Sequence, residues 1–411
     1  MRIRIHRGAR QIGGTCIEIE SQGRRILLDL GVALDAEPSK DELPKIRGLI
    51  GKDPGLLGLF VSHPHLDHYG LASRIQNDSI PILMGEAAIR ILEAAKRFVS
   101  NQYCFPFKIR IKHKTPIRLG PFTLTPFLVD HSAYDSYALL VEADGKRIFY
   151  SGDFRGHGRK GKLFEKMLSD PPNNIDVLLM EGTTLGRGNR EKYRSESEVE
   201  ERFTQIIHET KGIVLVWCSG QNIDRLVTVF RACRKTGRQF IADMYAASVL
   251  QAIENPNLPQ PGFSDFRIFL PLSQKMRIIK DESFKFAESF KSWRIYPEHL
   301  KNEAGKSVML FRPSMKKDIE KADCLKDASL IYSLWPGYLE QAQYRSLLDW
   351  LKEKSIPIHH CHTSGHAPLS DLKRFAKALN PKTLVPIHTF NPEMFQNHFD
   401  NVQIKDDGVW W

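Results

Sequence analysis

The first half of the chain is built from short segments in which apolar residues alternate with polar ones or run together, the pattern of β-strands. The opening residues 1–10 alternate apolar and basic side chains, and they predict a strand rather than a signal peptide. Further strands are predicted at residues 16–20, 25–30, 57–61, 122–129, 137–141, 147–150 and 176–180. Several of these segments run directly into Asp, His or Glu, so these side chains are expected at strand ends.

After Glu181 the pattern changes to alternating strands and helices. Residues 195–198 have the Ser-x-x-Glu form of a capping box, and an apolar stripe follows at helical spacing. Strands are then predicted at 213–217 and 239–242, and helices at 223–234 and 246–253. Such alternation is typical of a parallel α/β unit. From Ile356 the earlier pattern returns. We therefore expect a first domain in two parts, 1–191 and 344–411, with a second domain, 192–343, inserted into it.

The composition narrows the class of protein. The chain has 411 residues, of which 42% are hydrophobic and 26% are charged, as in ordinary globular proteins. Its net charge of +11 favours polyanionic partners. Because no stretch approaches about 18 uncharged apolar residues, no membrane span is expected. The six cysteines form no Cys-x-x-Cys pair, which argues against a disulfide scaffold and for a reducing, cytoplasmic location.

The strongest chemical signal is a run of histidines after the strand at 57–61. Residues 62–68 read Ser-His-Pro-His-Leu-Asp-His. At a strand end, residues two apart can point the same way, so His63 and His65 can ligate one ion. Asp67 and His68, one turn further on, can reach a second ion. Imidazole and carboxylate ligands suit Zn²⁺ or Mn²⁺. A chance cluster in a surface loop is the alternative, and the density of potential ligands disfavours it.

More candidate ligands follow in matching contexts. His131 comes just after the strand at 122–129, and Asp153 follows the strand at 147–150, where its carboxylate could bridge two ions. Asp29 could accept a hydrogen bond from a ligand histidine, outside the metal ligands themselves. Each residue alone would more often be a satisfied polar residue at a strand end. Together they favour a dinuclear site.

These motifs resemble a known family. Asp29, the run His63–His68, His131 and Asp153 resemble the successive motifs of the metallo-β-lactamase fold. The later part resembles the β-CASP nucleases of that fold, above all the ribonuclease J group, because Glu181 ends a strand ahead of the inserted domain and two histidine motifs follow it. These are His-Thr-Ser-Gly-His-Ala at 362–367 and Val-Pro-Ile-His ending at residue 388. The resemblance implies an αββα metallo-β-lactamase sandwich with an inserted α/β β-CASP domain.

Two features depart from ribonuclease J. His388 is followed by Thr389 and Phe390, where that group typically has Gly-Glu. The sequence ends at Trp411, without the C-terminal domain that is associated with dimerisation in that group. The oligomeric state and any protein partner therefore stay open.

The resemblance assigns roles to the candidate residues. It implies two divalent ions, with Zn²⁺ favoured and Mn²⁺ as the alternative. One ion would be held by His63, His65, His131 and Asp153, and the other by Asp67, His68, Asp153 and His388. A hydroxide activated by the two ions would attack the phosphodiester bond. Asp67, His366 and Glu181 would take part in catalysis, with His366, supported by Glu181, protonating the leaving 3′-oxygen. The product would carry a 5′-phosphate.

Three regions are candidates for substrate contacts. The turn with His362, Ser364 and Gly365 could hold a phosphate, and an ordinary helix cap would use the same geometry. The basic stretch 155–162, which includes Arg159 and Lys160, could contact the RNA backbone or could face water. Ser219 and Arg225 lie where a strand of the inserted domain gives way to a helix, a place where parallel sheets bind ligands. A structural helix cap is equally plausible there.

The sequence thus predicts a metal-dependent ribonuclease acting on single-stranded RNA, endonucleolytic, 5′-exonucleolytic or both. A DNA nuclease of the same fold is one alternative, which His388 disfavours because the DNA-processing branch usually has Val at that motif. A small-molecule metallo-hydrolase is another, and the inserted domain and basic charge count against it. A nucleic-acid-binding protein with a dead site finds no support, because every ligand position is filled.

Overall fold

The structure is a computed structural model that describes residues 1–34, 41–99, 107–186 and 193–411. Cys104 and the predicted domain boundary between residues 191 and 192 lie outside these ranges. The chain divides into two compact units. Unit 1 comprises Met1–Leu92, Asn101–Arg190 and Gly365–Trp411, and unit 2 comprises Glu93–Ser100 and Glu191–Ser364. Strands and helices are numbered along the chain.

The first sheet of unit 1 is formed by six strands of the described residues, in sequence order. They are β1 (Arg2–Arg7), β2 (Cys16–Ser21), β3 (Arg24–Leu28), β4 (Leu56–Phe60), β5 (Ile82–Gly85) and β6 (Lys108–Ile111). The pairs β1–β2 and β2–β3 are antiparallel, and the pairs from β3 to β6 are parallel. At the β1 edge of this sheet, Trp410 near the C-terminus forms an antiparallel bridge to Arg4. β1 lies in the segment whose alternating pattern predicted a strand.

The second sheet of unit 1 has the order β18-β11-β10-β9-β8-β7 in the described part of the chain. Its strands are β7 (Ile117–Leu119), β8 (Phe122–Val129), β9 (Ser136–Ala143), β10 (Lys146–Tyr150), β11 (Val177–Glu181) and β18 (Thr383–Ile387). β11 lies between β10 and β18 and is parallel to both. The carboxyl ends of these three strands therefore meet at one edge, although β18 follows β11 by about half the chain.

Unit 1 is a four-layer sandwich. One apolar core lies between the two sheets and includes Ile17, Phe60 and Leu139. A second core packs the outer face of the first sheet against α2 (Glu86–Ala95). A third packs the second sheet against α3 (Gly161–Ser169) and α12 (Leu369–Leu379). Helices thus cover both outer faces, because each sheet has apolar side chains on both sides. The αββα class expected from the sequence is confirmed.

Unit 2 contains a parallel sheet with the order β14-β13-β15-β12-β16-β17 among the described strands. These are β12 (Val214–Trp217), β13 (Gln239–Asp243), β14 (Phe266–Phe269), β15 (Ser307–Leu310), β16 (Ser329–Tyr332) and β17 (Ile358–His360). Its helices are α4 (Glu196–Glu209), α5 (Ile223–Thr236), α6 (Met244–Ala252), α7 (Leu272–Lys280), α8 (Phe284–Glu288), α9 (Pro297–Glu303), α10 (Lys316–Lys321) and α11 (Arg345–Glu353). Because β17 pairs with β16, residues 344–364 pack with unit 2, whereas the sequence analysis assigned them to the C-terminal part of the first domain.

Local sequence signals account for several of these elements. Ser195 caps α4 by accepting a hydrogen bond from the Glu198 amide at 3.2 Å, as the capping box predicts. α5 begins after Asn222, whose side chain accepts from Arg225 N, and ends at Gly237 in the left-handed conformation. The five described cysteines are buried and unpaired with one another. In the described ranges no helix has the length and apolarity required to cross a bilayer.

Candidate metal centre

The candidate metal ligands are brought together by the ends of strands in unit 1. β4 leads into His63 and His65, and the short helix α1 (Leu66–Tyr69) carries Asp67 and His68. His131, Asp153 and His388 follow β8, β10 and β18. These positions are far apart in sequence and meet because the two sheets present the strand ends at the same side.

The side chains form overlapping clusters of metal-ligand type. His63, His65 and His131 make one group, and Asp67, His68, Asp153 and His388 make another. A third group, His131, Asp153 and His366, overlaps both clusters. In every group the candidate ligand atoms lie within 4.8 Å of one another.

Asp153 lies between the two main clusters. Its Oδ2 is 3.7 Å from His63 Nε2, 3.1 Å from His68 Nε2 and 4.0 Å from His388 Nε2. Asp67 Oδ2 lies 3.6 Å from His388 Nε2. A carboxylate placed in this way can contact an ion in each cluster.

Buried polar atoms at this centre lack the partners that such atoms normally have. The Nε2 atoms of His63, His68 and His388 and both carboxylate oxygens of Asp153 are buried and make no hydrogen bond to any residue that the structure describes. Leaving a buried polar group unsatisfied costs about 1–3 kcal/mol. Several such atoms converge here, and imidazole nitrogen with carboxylate oxygen is the donor set that suits Zn²⁺ or Mn²⁺. The residues therefore fit a divalent metal centre.

The other ring nitrogen of each buried histidine is held by a neighbour. His68 Nδ1 is 2.6 Å from Asp29 Oδ2, and His63 Nδ1 is 3.0 Å from the Ser62 hydroxyl. The Thr15 hydroxyl lies 2.7 Å from His388 Nδ1. Such contacts fix the ring orientation and the tautomer that presents Nε2 to a metal.

Asp29 organises the region around His68. Its carboxylate accepts from the Ser62 amide and hydroxyl, at 2.7 Å each, and from the Tyr150 hydroxyl. Asp29 and His388 both have left-handed backbone conformations, with φ of 59° and 51°. Such conformations cost of order 1–3 kcal/mol and cluster at functional sites. Asp29 thus holds His68 and Ser62 in place through its hydrogen bonds.

The electrostatics favour ligand-competent protonation states. Burial lowers the pKa of His63, His131 and His388, so these imidazoles are neutral. Burial alone would raise the pKa of Asp153, yet the surrounding histidines, His68 first, hold it well below its usual range. For His68, burial is outweighed by Asp153 and Asp29, and its pKa is raised. The neutral imidazoles and the ionised carboxylate are the forms that bind divalent cations, whereas His68 must lose its proton to bind one.

His366 lies beside the centre with a carboxylate behind it. Its Nδ1 is 3.2 Å and 3.3 Å from the two oxygens of Glu181, which ends β11. Glu181 also accepts from the amides of Phe154 and Thr183, at 3.2 Å each, so its position is fixed. Although burial opposes it, Glu181 and Asp153 raise the pKa of His366 to about 9. The imidazole is therefore protonated at neutral pH and can donate a proton.

Two predicted substrate contacts in unit 1 are engaged with the metal centre itself. The Gly365 carbonyl lies 2.6 Å from His131 Nδ1, and a Cβ at Gly365 would be 2.6 Å from the Ser132 hydroxyl. Gly365 therefore supports a candidate ligand, and a larger residue there would displace the Ser132 hydroxyl. Lys160 Nζ donates to the His131 carbonyl at 3.0 Å. Arg159, its neighbour, is half-buried.

In unit 2 the prediction for Arg225 is wrong. Its side chain is fully buried, and its guanidinium donates to Glu196 from Nε at 3.2 Å and from Nη2 at 3.0 Å. A group enclosed in this way is not available to an RNA phosphate, and the sequence missed this because Glu196 lies in a separate helix. Ser219 is exposed, and its hydroxyl accepts from the Gln221 amide. His362 and Ser364, half-buried, are also in unit 2.

Several residues that shape the centre were not given that role from the sequence. Thr15 and Ser62 contact candidate ligands directly. Asp130 and Arg155 form a buried ion pair beside His131 and Asp153. Asp130 and Arg155 lie within two residues of the predicted ligands His131 and Asp153, and this closeness in sequence could have indicated their role. Thr15 gave none, because it precedes His388 by 373 residues.

Two family models match parts of the chain. A family model described as a beta-lactamase superfamily domain matches residues 24–252, more than half of the chain. A second model, described as a Zn-dependent metallo-hydrolase RNA specificity domain, matches residues 353–400. The first match contains the clusters from His63 to Asp153, and the second contains His366 and His388.

Curated relatives carry the name ribonuclease J. The protein of that name from Mycobacterium tuberculosis is 26% identical over 253 residues, which are 58% of this chain and 44% of that protein. The one from Sinorhizobium meliloti is 21% identical over 398 residues, 88% of this chain and 63% of that protein. An "RNase J-like protein" from Methanocaldococcus jannaschii is 25% identical over 245 residues, 55% of this chain and 54% of that protein. The chain thus spans roughly half the length of these relatives.

A solved structure shares the fold over the whole chain. The crystal structure of a protein of unknown function from Enterococcus faecalis superposes with a TM-score of 0.81. It is 21% identical, and the match covers 100% of this chain and 99% of that chain. At this identity the likeness concerns the fold alone.

Proposed function

The chain belongs to the beta-lactamase superfamily and is ribonuclease J-like, and on this basis we propose that it is a metal-dependent ribonuclease that hydrolyses single-stranded RNA. The observation that carries the proposal is the convergence of unsatisfied buried atoms of His63, His68, Asp153 and His388 at the strand ends. Support for RNA as the substrate comes from the match to the RNA specificity domain and from the similarity to proteins named ribonuclease J. The net charge of +11 also suits a polyanion.

The two clusters would hold two divalent ions, with Zn²⁺ favoured and Mn²⁺ as the alternative. His63, His65, His131 and Asp153 would hold one ion, and Asp67, His68, Asp153 and His388 would hold the other. When bound, such ions supply a water nucleophile at neutral pH and neutralise charge on the scissile phosphate. Asp29, Ser62 and Thr15 keep the ligand rings oriented through their hydrogen bonds.

His366 is the proposed proton donor. Glu181 contacts its Nδ1 and would hold the ring in place, and the side chain is 22% exposed. Hydrolysis of a phosphodiester with departure of the 3′-oxygen needs a proton at that oxygen. The expected products are a 5′-phosphate and a 3′-hydroxyl.

A comparison of nucleic acid substrates tests the function. The purified protein, loaded with Zn²⁺ or Mn²⁺, is incubated with single-stranded RNA, duplex RNA and DNA of the same sequence, labelled at either end. We expect fast cleavage of single-stranded RNA, slow cleavage of the other two, and new ends that carry 5′-phosphate. The ladder of product lengths distinguishes internal cleavage from 5′-exonucleolytic degradation.

A matched variant keeps this experiment specific. His63→Ala removes a candidate ligand and should abolish cleavage, which excludes a contaminating nuclease. DNA cleaved as fast as RNA would establish the DNA nuclease alternative. Cleavage of neither polymer by the fully metal-loaded protein would reject the proposal and favour a small-molecule hydrolase.

A further inference from the structure

The segment that follows Asp153, residues 155–161, folds back onto the residues around His131. The Arg155 amide donates to the Asp130 carbonyl at 2.7 Å, and the Gly158 amide donates to Asp130 Oδ2 at 2.7 Å. Lys160 Nζ donates to the His131 carbonyl at 3.0 Å. Contacts from the beginning, middle and end of this segment, called here the 155–161 loop, thus converge on two consecutive residues.

A buried ion pair lies inside these contacts. Asp130 and Arg155 are both 0% exposed, and Arg155 Nε is 3.7 Å from Asp130 Oδ1. Removing one partner of such a pair leaves a buried charge uncompensated, which costs about 3–5 kcal/mol. The two residues are therefore constrained to stay together.

Gly158 shows how closely the loop approaches this pair. A Cβ at this position would lie 2.4 Å from Asp130 Oδ1 and 2.5 Å from Arg155 Nε. No side chain fits in that space. The backbone of the loop is thus packed directly against the ion pair.

The other end of the segment that carries His131 is anchored as well. The Asp135 carboxylate accepts from the Ala87 amide at 2.8 Å and from the Ala88 amide at 3.2 Å, at the beginning of α2. The connection from β8 to β9 therefore has a carboxylate anchor on each side of His131. Neither anchor is itself a candidate ligand.

We propose that the Asp130–Arg155 pair and the 155–161 loop position the metal centre by fixing His131 relative to Asp153. Asp130 directly precedes His131, and Arg155 follows Asp153 by two residues, so the pair joins the two candidate ligands through short stretches of backbone. His131 and Asp153 offer ligand atoms within 4.8 Å of one another. Asp130, Arg155 and Lys160 are positioning residues that act through the ligands.

This inference rests on the proposed metal binding and is independent of the nuclease activity. Residues that orient metal ligands typically contribute 10–100-fold to affinity. The measurement is therefore made on the whole protein without RNA. Affinity is obtained from competition between the protein and a chelator for Zn²⁺, and geometry from the visible absorption of the Co²⁺-loaded protein.

The variants are Asp130→Asn, Arg155→Met and the double variant. We expect each single variant to weaken metal binding by about 10–100-fold and to change the Co²⁺ spectrum. The double variant should lose no more than the worse single variant, because the two residues act as one unit. Folded single variants with unchanged affinity and spectrum would overturn the proposal.

Two further variants control for general destabilisation. Arg225→Met breaks the corresponding buried pair in unit 2, and it should leave Zn²⁺ affinity and the Co²⁺ spectrum unchanged.

Lys160 is half-buried, so Lys160→Met should fold even if the buried variants do not. We expect it to weaken Zn²⁺ binding measurably and Lys160→Arg to restore part of the loss. Wild-type Zn²⁺ affinity in Lys160→Met would contradict a positioning role for Lys160. If Arg225→Met lost as much Zn²⁺ affinity as Asp130→Asn and Arg155→Met, the losses would reflect general destabilisation and the proposed positioning role would be rejected. A protein that binds metal as described and cleaves no RNA would reject the proposed function alone.

Discussion

Each unit contains a buried polar cluster, and the two clusters differ in how many of their polar atoms form hydrogen bonds within the cluster. In unit 2, each guanidinium nitrogen of Arg225 donates a hydrogen bond, to Glu196 or to Ser333, and Glu196 also accepts from the Thr228 hydroxyl at 3.0 Å. In unit 1, the Nε2 atoms of three buried histidines and the Asp153 carboxylate have no such partner among the described residues. The first cluster is complete as it stands, and the second has the donor atoms of a divalent metal site.

The contrast shows what distinguishes a structural network from a binding site. Both clusters contain buried charged residues, so burial does not separate them. The clusters are distinguished by unsatisfied polar atoms that lie within 4.8 Å of one another in unit 1. Such atoms are informative because native proteins pair nearly all of their buried polar groups. Substitutions in each cluster test this difference.

Replacing the residue between the two metal clusters should have the largest effect. We expect Asp153→Ala to reduce RNA cleavage by at least about 10³-fold, because the charge stabilisation at the scissile phosphate is lost. Elemental analysis should show that occupancy falls in both clusters. Two ions still bound per chain would contradict the bridging position of Asp153.

Replacing the proton donor should separate catalysis from metal binding. We expect His366→Ala to retain metal and RNA affinity while kcat falls by about 10²–10⁴-fold. A substrate with sulfur as the leaving atom needs little protonation, so it should recover much of the rate. Without such recovery, His366 would have a positioning role instead.

Breaking the unit 2 network should affect stability alone. Arg225→Met leaves Glu196 buried without its counter-charge, and we expect unfolding to become easier by about 3–5 kcal/mol. Metal content should be that of the wild type. In the double variant Arg225→Met with Glu196→Met most of the stability should return, because apolar pairs replace buried ion pairs well. Denaturant unfolding measures the stability of the single and of the double variant.

A stable Arg225→Met protein that no longer binds RNA would restore Arg225 as a substrate contact.

Loss of the Thr15 hydroxyl should have the smallest effect. Thr15→Val keeps the shape of the side chain but removes the partner of His388 Nδ1. We expect the affinity for one ion to fall by about 10–100-fold, with the other ion held as in the wild type. Thr15→Ser serves as the control and should bind both ions normally. Equal weakening of both ions in stepwise chelator titration would argue against a specific role at His388.

The strand-end positions of the candidate ligands could be predicted because each motif follows an apolar strand directly. The strand at 122–129 has the predicted bounds, and His131 lies two residues beyond it. The helix predicted at 223–234 is α5, which ends two residues later at Thr236 because Gly237 supplies the left-handed terminus. Local patterns of this kind specify elements and their ends.

Contacts between distant segments could not be predicted in the same way. Arg225 follows a strand end in a parallel sheet, as ligand-binding residues do, yet Glu196 from α4 encloses it. Thr15 is an unremarkable residue until β18 brings His388 against it. Gly365 belongs to a predicted phosphate-binding turn, and its carbonyl instead contacts His131. Each of these contacts joins residues that are distant in sequence, so it depends on the tertiary structure and not on the local pattern.

The number of metal ions bound per chain tests whether the two clusters form a dinuclear site. The protein is saturated with Zn²⁺, freed of excess metal by gel filtration and examined by native mass spectrometry together with elemental analysis. We expect two ions per chain, both absent after treatment with a strong chelator and both regained on adding Zn²⁺. A folded wild-type protein that binds no ion would contradict this expectation, because the unsatisfied atoms at the strand ends would then serve no ligand.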